Sequence, residues 1–236
     1  MSKINYQKPF LELLSDLTSI RKSIVFVKNG DKVEIENIDS QNKVQYKLSA
    51  DKDVFEFAGG DQFAIYDYPY FYQLLNAFKQ TGIQQFDDHL IMSDEVDNNE
   101  LRSKARSLRY GMSDSASVNI NAKDISFVDN KAELVLSKEI LETIGKVIGN
   151  FGFDTVKFSI KDDKVDVSVF GAKNKNKKYE NSFDLKETAS KNFTIEVDSD
   201  SIKMIPKKNY AASFSEDYLK LSNTEKYDLN LYLKKK

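Results

Sequence analysis

The feature that most constrains this chain is a faint internal repeat, in which three pairs of segments recur in the same order at a spacing of about 130 residues. Residues 9–20 (PFLELLSDLTSI) and 137–151 (SKEILETIGKVIGNF) are both amphipathic at helical period. Phe10, Leu13, Leu14 and Leu17 of the first answer Ile140, Ile144, Val147 and Ile148 of the second. Pro9 suits a first helical turn, where its missing N–H costs nothing, and Ser137 carries the side-chain oxygen of an N-cap. After each helix comes a strand, a turn and a strand: IVFVKNGDKVEIE over 24–36 and VKFSIKDDKVDVS over 156–168. Their alternation predicts half-buried antiparallel strands, with turns at Asn29-Gly30 and Asp162-Asp163. The third pair, FAIYD over 63–67 and FTIEVD over 193–198, closes each strand on an acidic residue and enters a short helix, 70–80 and 199–205. Pro69 starts one of these helices and Pro206 stops the other.

Each half then ends in further strands, 86–92 and 101–110 in the first, 210–214, 218–222 and 227–233 in the second. Helix, strands, helix, strands is thus written twice. Between the halves, 122–131 (AKDISFVDNK) is polar around Ile125, Phe127 and Val128 and reads as a connector. The expected architecture is α+β: two similar domains, 1–121 and 132–236, each an antiparallel sheet with two helices, joined by a connector at 122–131.

A chain of 236 residues at 40% hydrophobic composition can bury two cores of that size. No run of about 18 apolar residues is present and the N-terminus lacks the order of a secretion signal, so no membrane role and a soluble, cytoplasmic protein are expected. The absence of cysteine removes disulfides, thiolate nucleophiles and zinc-thiolate sites. With 35 Lys and Arg against 37 Asp and Glu, the net charge is −2, so any contact with nucleic acid must come from local segregation of charge.

Enzyme chemistry finds little support. The single histidine, His89, follows Asp87-Asp88 and reads as part of a strand-edge turn, with no nucleophile placed beside it. Asp94, Glu95, Asp97 and Glu100 lack the glycine and the spacing of a calcium loop. No glycine-rich loop runs into Lys-Ser or Lys-Thr, so nucleotide hydrolysis would belong to another protein. No catalytic residue, metal ligand or cofactor is assigned.

The strings LETIGKVI (141–148), DTVKFSIK (154–161), KVDV (164–167), FTIEV (193–197), IKMIP (202–206) and Asn209-Tyr210, with FAIYD and Ala105-Arg106-Ser107 in the first half, resemble the sliding clamps of T-even-type bacteriophages. The resemblance spans nearly the whole chain and rests on order, spacing and length. It implies the DNA-clamp fold, which proliferating cell nuclear antigen also has, and a homotrimeric ring with sheets outside and helices lining a hole for duplex DNA. The implied partners are double-stranded DNA read without sequence preference, a DNA polymerase, an ATP-dependent clamp loader and further copies of the chain. The implied setting is the cytoplasm of an infected bacterium, with a role in transcription as a further implication. A monomeric factor gripping DNA by charge, or a metal-dependent nucleic-acid enzyme, is the alternative reading. The chain departs from the family pattern in its Lys-rich stretch at 172–179 and in Lys234-Lys235-Lys236.

A clamp needs cationic helix faces, because phosphate contacts hold a protein near DNA without fixing its position along the sequence. The candidates are Lys8, Arg21 and Lys22 around the first helix, Lys79 on the second, Lys138 and Lys146 on the third, and Lys203, Lys207 and Lys208 on and after the fourth. Residues 172–179 (AKNKNKKY) are expected to form a hairpin loop. Alternation places Arg102, Lys104 and Arg106 on one face of 101–110 and Glu180 and Asp184 on one face of 179–187; in the clamp topology these are edge strands that meet between subunits. The resemblance also implies an apolar groove for a partner peptide, built from Phe127 and Val128 of the connector with Tyr232 and Leu233 of the last strand.

Overall fold

The computed structural model describes residues 2–57, 60–77, 81–85, 88–94, 107–112, 118, 125, 127, 132–171, 174–186 and 189–236. Its contacts divide the chain into two compact units, Met1–Asn37 with Leu48–Asn121, and Ile38–Lys47 with Ala122–Lys236.

The first unit contains β1 (Ser2–Tyr6), α1 (Lys8–Leu17), β2 (Ile24–Asn29), β3 (Lys32–Ile38), the C-terminal half of β4 (Val44–Asp51), β5 (Phe55–Glu56), β6 (Gln62–Ile65), α2 (Tyr68–Asn76), β7 (Thr81–Gln85), β8 (His89–Asp94) and β9 (Ser107–Gly111). One sheet runs β5-β1-β7-β8-β9, and β2 lies between β3 and β6 in another. The β1, β7, β8 and β2 pairings are antiparallel. Phe10, Leu11, Leu13, Leu14 and Leu17 bury one face of α1, and the Tyr68 hydroxyl of α2 donates to the Leu11 carbonyl at 2.9 Å, tying the two helices together. Behind them Phe26 stacks on Phe63 at 4.5 Å, with Phe55 and Phe57 closing the aromatic cluster.

The second unit contains β10 (Glu133–Leu136), α3 (Lys138–Phe151), β11 (Thr155–Lys161), β12 (Lys164–Gly171), β13 (Asn174–Asp184), β14 (Phe193–Asp198), α4 (Ser199–Met204), β15 (Tyr210–Phe214), β16 (Tyr218–Asn223) and β17 (Asp228–Lys234). Its sheets run β13-β12-β11-β14 and β10-β15-β16-β17, antiparallel throughout. In β11 and β12 the apolar residues Val156, Phe158, Ile160, Val165, Val167 and Val169 are buried and the intervening residues are not, as a sheet with one covered face requires.

The repeat is therefore carried by the fold, with local differences. The first helix stops at Leu17 rather than residue 20, and the second starts at Tyr68 rather than 70. In α3 the buried positions are Leu141, Ile144 and Ile148; Ile140 and Val147 stand at the margin of that face, half-buried. The first hairpin turns on Gly30-Asp31, one residue later than expected, because Asn29 still pairs with Lys32. Gly30 takes φ 61°, and Asp162, at the equivalent place in the second hairpin, takes φ 51°.

Two further expectations change. Residues 174–178 belong to β13 rather than to a loop, the ladder with β12 jumping from Phe170↔Lys178 to Gly171↔Asn174. And Ile38–Lys47, early in the chain, is part of the second unit. There Asp39 accepts the N–H groups of Gln41 and Val44 at 2.9 and 2.7 Å, folding the turn, while the Lys43 carbonyl accepts the Lys234 N–H at 2.8 Å. The Lys43 ammonium meets the Asp198 carboxylate at 2.8 Å, and this hydrogen-bonded ion pair raises the lysine's pKa.

Candidate nucleic-acid interface and subunit edges

Pro9 in the first turn and five apolar positions fix α1 with Lys8 exposed at its start; beyond its end Arg21 is half-buried and Lys22 exposed. On α3, Lys146 is exposed, and Lys138 is exposed and 3.8 Å from Glu142 one turn on, a surface pair worth a few tenths of a kcal/mol. Lys203 of α4 pairs with Asp200 at 3.1 Å. Lys207 and Lys208 behave differently from solvated lysines. The Lys207 ammonium donates to the Ile202 carbonyl at 2.8 Å, its chain passing within 4.0 Å of where a Cβ on Gly145 of α3 would stand, and burial pulls its pKa below the ordinary lysine value. The Lys208 ammonium lies 5.2 Å from the centre of the Tyr227 ring and donates to its hydroxyl. Lys79 lies outside the described residues.

Among the described residues, β9 and β13 each end their sheet orders, so each presents an edge. On β13, Glu180 and Asp184 are exposed; Glu180 meets Lys178 at 2.7 Å and accepts from Ser168 at 3.4 Å. Arg102, Lys104 and Arg106 lie outside the described residues, as do Glu95, Asp97 and Glu100. The described part of this edge begins at Ser107, where Ser107, Arg109 and Gly111 are exposed and Tyr110 is buried. Arg109, not singled out from sequence, is the cation this edge shows; it reaches Asp88 at 3.3 Å. Asp88 is also bonded to His89 Nδ1, which holds its carboxyl below the usual range. Strand parity is the signal that could have found Arg109, since it alternates with Tyr110.

The expected groove is only partly assembled. Phe127 and Tyr232 are half-buried with rings 6.4 Å apart at 65°, and the Lys220 ammonium lies 5.7 Å from the Phe127 centroid. Val128 lies outside the described residues. Leu233 is corrected to a core residue: on β17, Leu229, Leu231 and Leu233 are fully buried while Asn230 and Tyr232 point to the other face, so neighbours 232 and 233 cannot line one surface. Among the described residues no group of three or more His, Cys, Asp or Glu could hold a metal ion, and no helix is long and apolar enough to cross a membrane.

No protein-family model and no curated protein matches the chain by sequence. Solved structures do. Proliferating cellular nuclear antigen from Entamoeba histolytica is similar with a TM-score of 0.75 at 18% identity, over 96% of this chain and 94% of that one. The PCNA2-PCNA3 complex from Sulfolobus tokodaii is similar with a TM-score of 0.71 at 14% identity, over 96% and 95%. At these identities the likeness is one of fold: the chain has the α+β DNA-clamp fold.

Proposed function

We propose that this chain is one subunit of a DNA sliding clamp, a non-enzymatic processivity factor that encircles duplex DNA and tethers a polymerase. The observation that carries the reading is the clamp fold over 96% of the chain. Exposed lysines on α1 and α3 and an edge strand in each unit support it. The assembly is a homotrimer of the T-even phage kind, with two domains at 1–121 and 132–236 flanking a connector at 122–131. It is loaded by an ATP-dependent loader in the cytoplasm of an infected bacterium and also serves transcription. Subunits join where residues 101–110 of one copy meet residues 179–187 of the next, Arg102, Lys104 and Arg106 facing Glu180 and Asp184. Lys8, Lys22, Lys138, Lys146 and Lys203 face phosphates, with Arg21, Lys79, Lys207 and Lys208 around them. Phe127, Val128 and Tyr232 receive the polymerase tail.

The test is topological. A protein that grips DNA by about six to ten phosphate contacts alone loses roughly three to five decades of affinity between 50 and 200 mM salt, whereas a closed ring is retained by geometry. After loading on circular DNA, the protein is expected to survive moderate salt and to leave when the circle is cut. Lys146→Ala is expected to lower loading without changing the dependence on DNA ends. Equal release from circular and linear DNA at every salt concentration overturns the ring.

A further inference from the structure

The Asp198 side chain, 19% exposed where β14 gives way to α4, serves two lysines that stand far apart in the sequence, all within the second unit. The Lys43 ammonium lies 2.8 Å from one carboxylate oxygen and the Lys236 ammonium 3.6 Å from the other. Lys236 also donates to the Thr155 hydroxyl at 2.9 Å and lies 3.5 Å from Asp154, whose carboxylate accepts the Thr155 hydroxyl at 2.6 Å. The backbone beside these side chains is held as well: the N–H groups of Lys234, Lys235 and Lys236 donate to the carbonyls of Lys43, Asp217 and Glu196, each at 2.8 Å. Glu196 belongs to β14, which ends the sheet order β13-β12-β11-β14. The chain therefore runs on past β17, a strand of one sheet, to cover part of the edge of another.

The same carboxylate has a second use that it does not take. Asp198 stands at the N-cap of α4 with φ −64° and ψ 137°, the extended backbone of a capping residue, yet its side chain makes no capping bond. The Ser199 N–H is served by the Asp154 carbonyl at 3.1 Å, so the amides a capping carboxylate would meet are those of Asp200 and Ser201. With one lysine on each oxygen, the side chain is turned away from that role. The two uses are of similar strength, since a helix cap and a pair of partly exposed ion pairs each change an equilibrium by about tenfold. We propose that residues 234–236 are a charge-held strap over the β14 edge, and that Asp198 switches between holding the strap and capping α4. Undocking frees Lys43 and Lys236 and uncovers the Glu196 carbonyl, while the cap that Asp198 then makes offsets the lost ion pairs. Competing anions shift the balance toward release, because they screen the lysines from the carboxylate. The device lies within one copy and does not depend on the sliding-clamp reading.

The test is amide hydrogen exchange on the full chain, read residue by residue, for wild type, Asp198→Asn, Asp198→Ala and Lys43→Met/Lys236→Met, with thermal melts to confirm that each folds. Asn caps a helix as well as Asp does but carries no charge for the lysines, Ala does neither, and the double lysine variant leaves the carboxylate free to cap. All three variants are expected to lower protection at Lys235 and Lys236 by about tenfold, as is raising sodium chloride to about 1 M on the wild type. At Asp200 and Ser201 protection is expected to rise about threefold or more in Asp198→Asn and in the lysine variant, and not in Asp198→Ala. Wild-type protection of Lys235 and Lys236 in Asp198→Asn overturns the strap. Equal protection of Asp200 and Ser201 in Asp198→Asn and Asp198→Ala overturns the switch. Should a variant fail to fold, the salt series on the unmutated protein still decides, because unchanged protection of Lys235 and Lys236 there overturns the strap.

Discussion

In the second unit Ser137 accepts the Ile140 N–H at the start of α3 and Gly152 ends it in a left-handed conformation at φ 63°; in the first, Gln7 starts α1 with no side-chain capping bond and Thr18 ends it right-handed. What holds the start of α1 comes from elsewhere in its unit: the Gln7 N–H donates to the Val54 carbonyl at 2.8 Å and its side-chain amide to the Asp53 carbonyl at 3.3 Å. The same architecture is thus bounded once by local chemistry and once by tertiary contacts. A duplicated fold constrains which face is buried far more than it constrains the caps, which is why the repeat is faint as letters and plain as structure.

The hardest way to strain this comparison is to attack the more regular unit in its core. Leu233→Asp puts a charge where the side chain is fully buried and is expected to cost at least about 3 kcal/mol, unfolding the second unit in a thermal melt followed by circular dichroism. Phe127→Asp, at a half-buried site, is expected to melt like the parent protein while losing the polymerase tail peptide in a titration; equal destabilisation by the two substitutions would make Phe127 as much a core residue as Leu233.

A smaller effect separates the two hairpins. Gly30→Ala forces a Cβ into φ 61° and is expected to cost about 1–2 kcal/mol in urea denaturation, whereas Asp162→Gly, at the equivalent position, is expected to change stability by less than about 1 kcal/mol, because Asp already tolerates that region. Similar losses from both would mean that the turns differ in more than residue type.

The smallest effect tests the caps. Ser137→Ala is expected to cost about 1 kcal/mol, and Gln7→Ala a few tenths, since no side-chain oxygen of Gln7 serves the helix. Equilibrium unfolding of the two variants measures the difference; a larger loss at Gln7 would show that its amide bond to Asp53 outweighs a true cap.

The parts that were legible are those where local rules and burial agree. Ser137 and the 3.6-residue period place α3 almost to the residue, and strict alternation places β11, β12 and β14 to β17. β4 was missed even though VQYKLSAD alternates: Val44, Tyr46, Leu48 and Ala50 are buried, with Gln45 buried among them. β7, TGIQQ, hides its core contact in one Ile and a buried Gln85. The lysines of 172–179 read as a loop because charge marks solvent, yet a strand at a sheet edge can also show its side chains to solvent.

The candidate sites divide the same way. The sequence by itself determined the duplicated α+β plan, the acidic residues of β13 and the lysines of α1, α3 and α4, because periodicity and charge are properties of neighbours along the chain. Only the tertiary structure decided that Leu233 belongs to the core while Tyr232 faces outward, that Lys207 turns back onto Ile202, and that Arg109 and Tyr70 stand at the β9 edge. It also decided that Ile38–Lys47 packs with a unit formed mostly by residues far along the chain. Burial and edge position depend on which distant segments cover a residue, and the pairing that supplies the cover is settled by the summed packing of the core rather than by any one stretch of sequence.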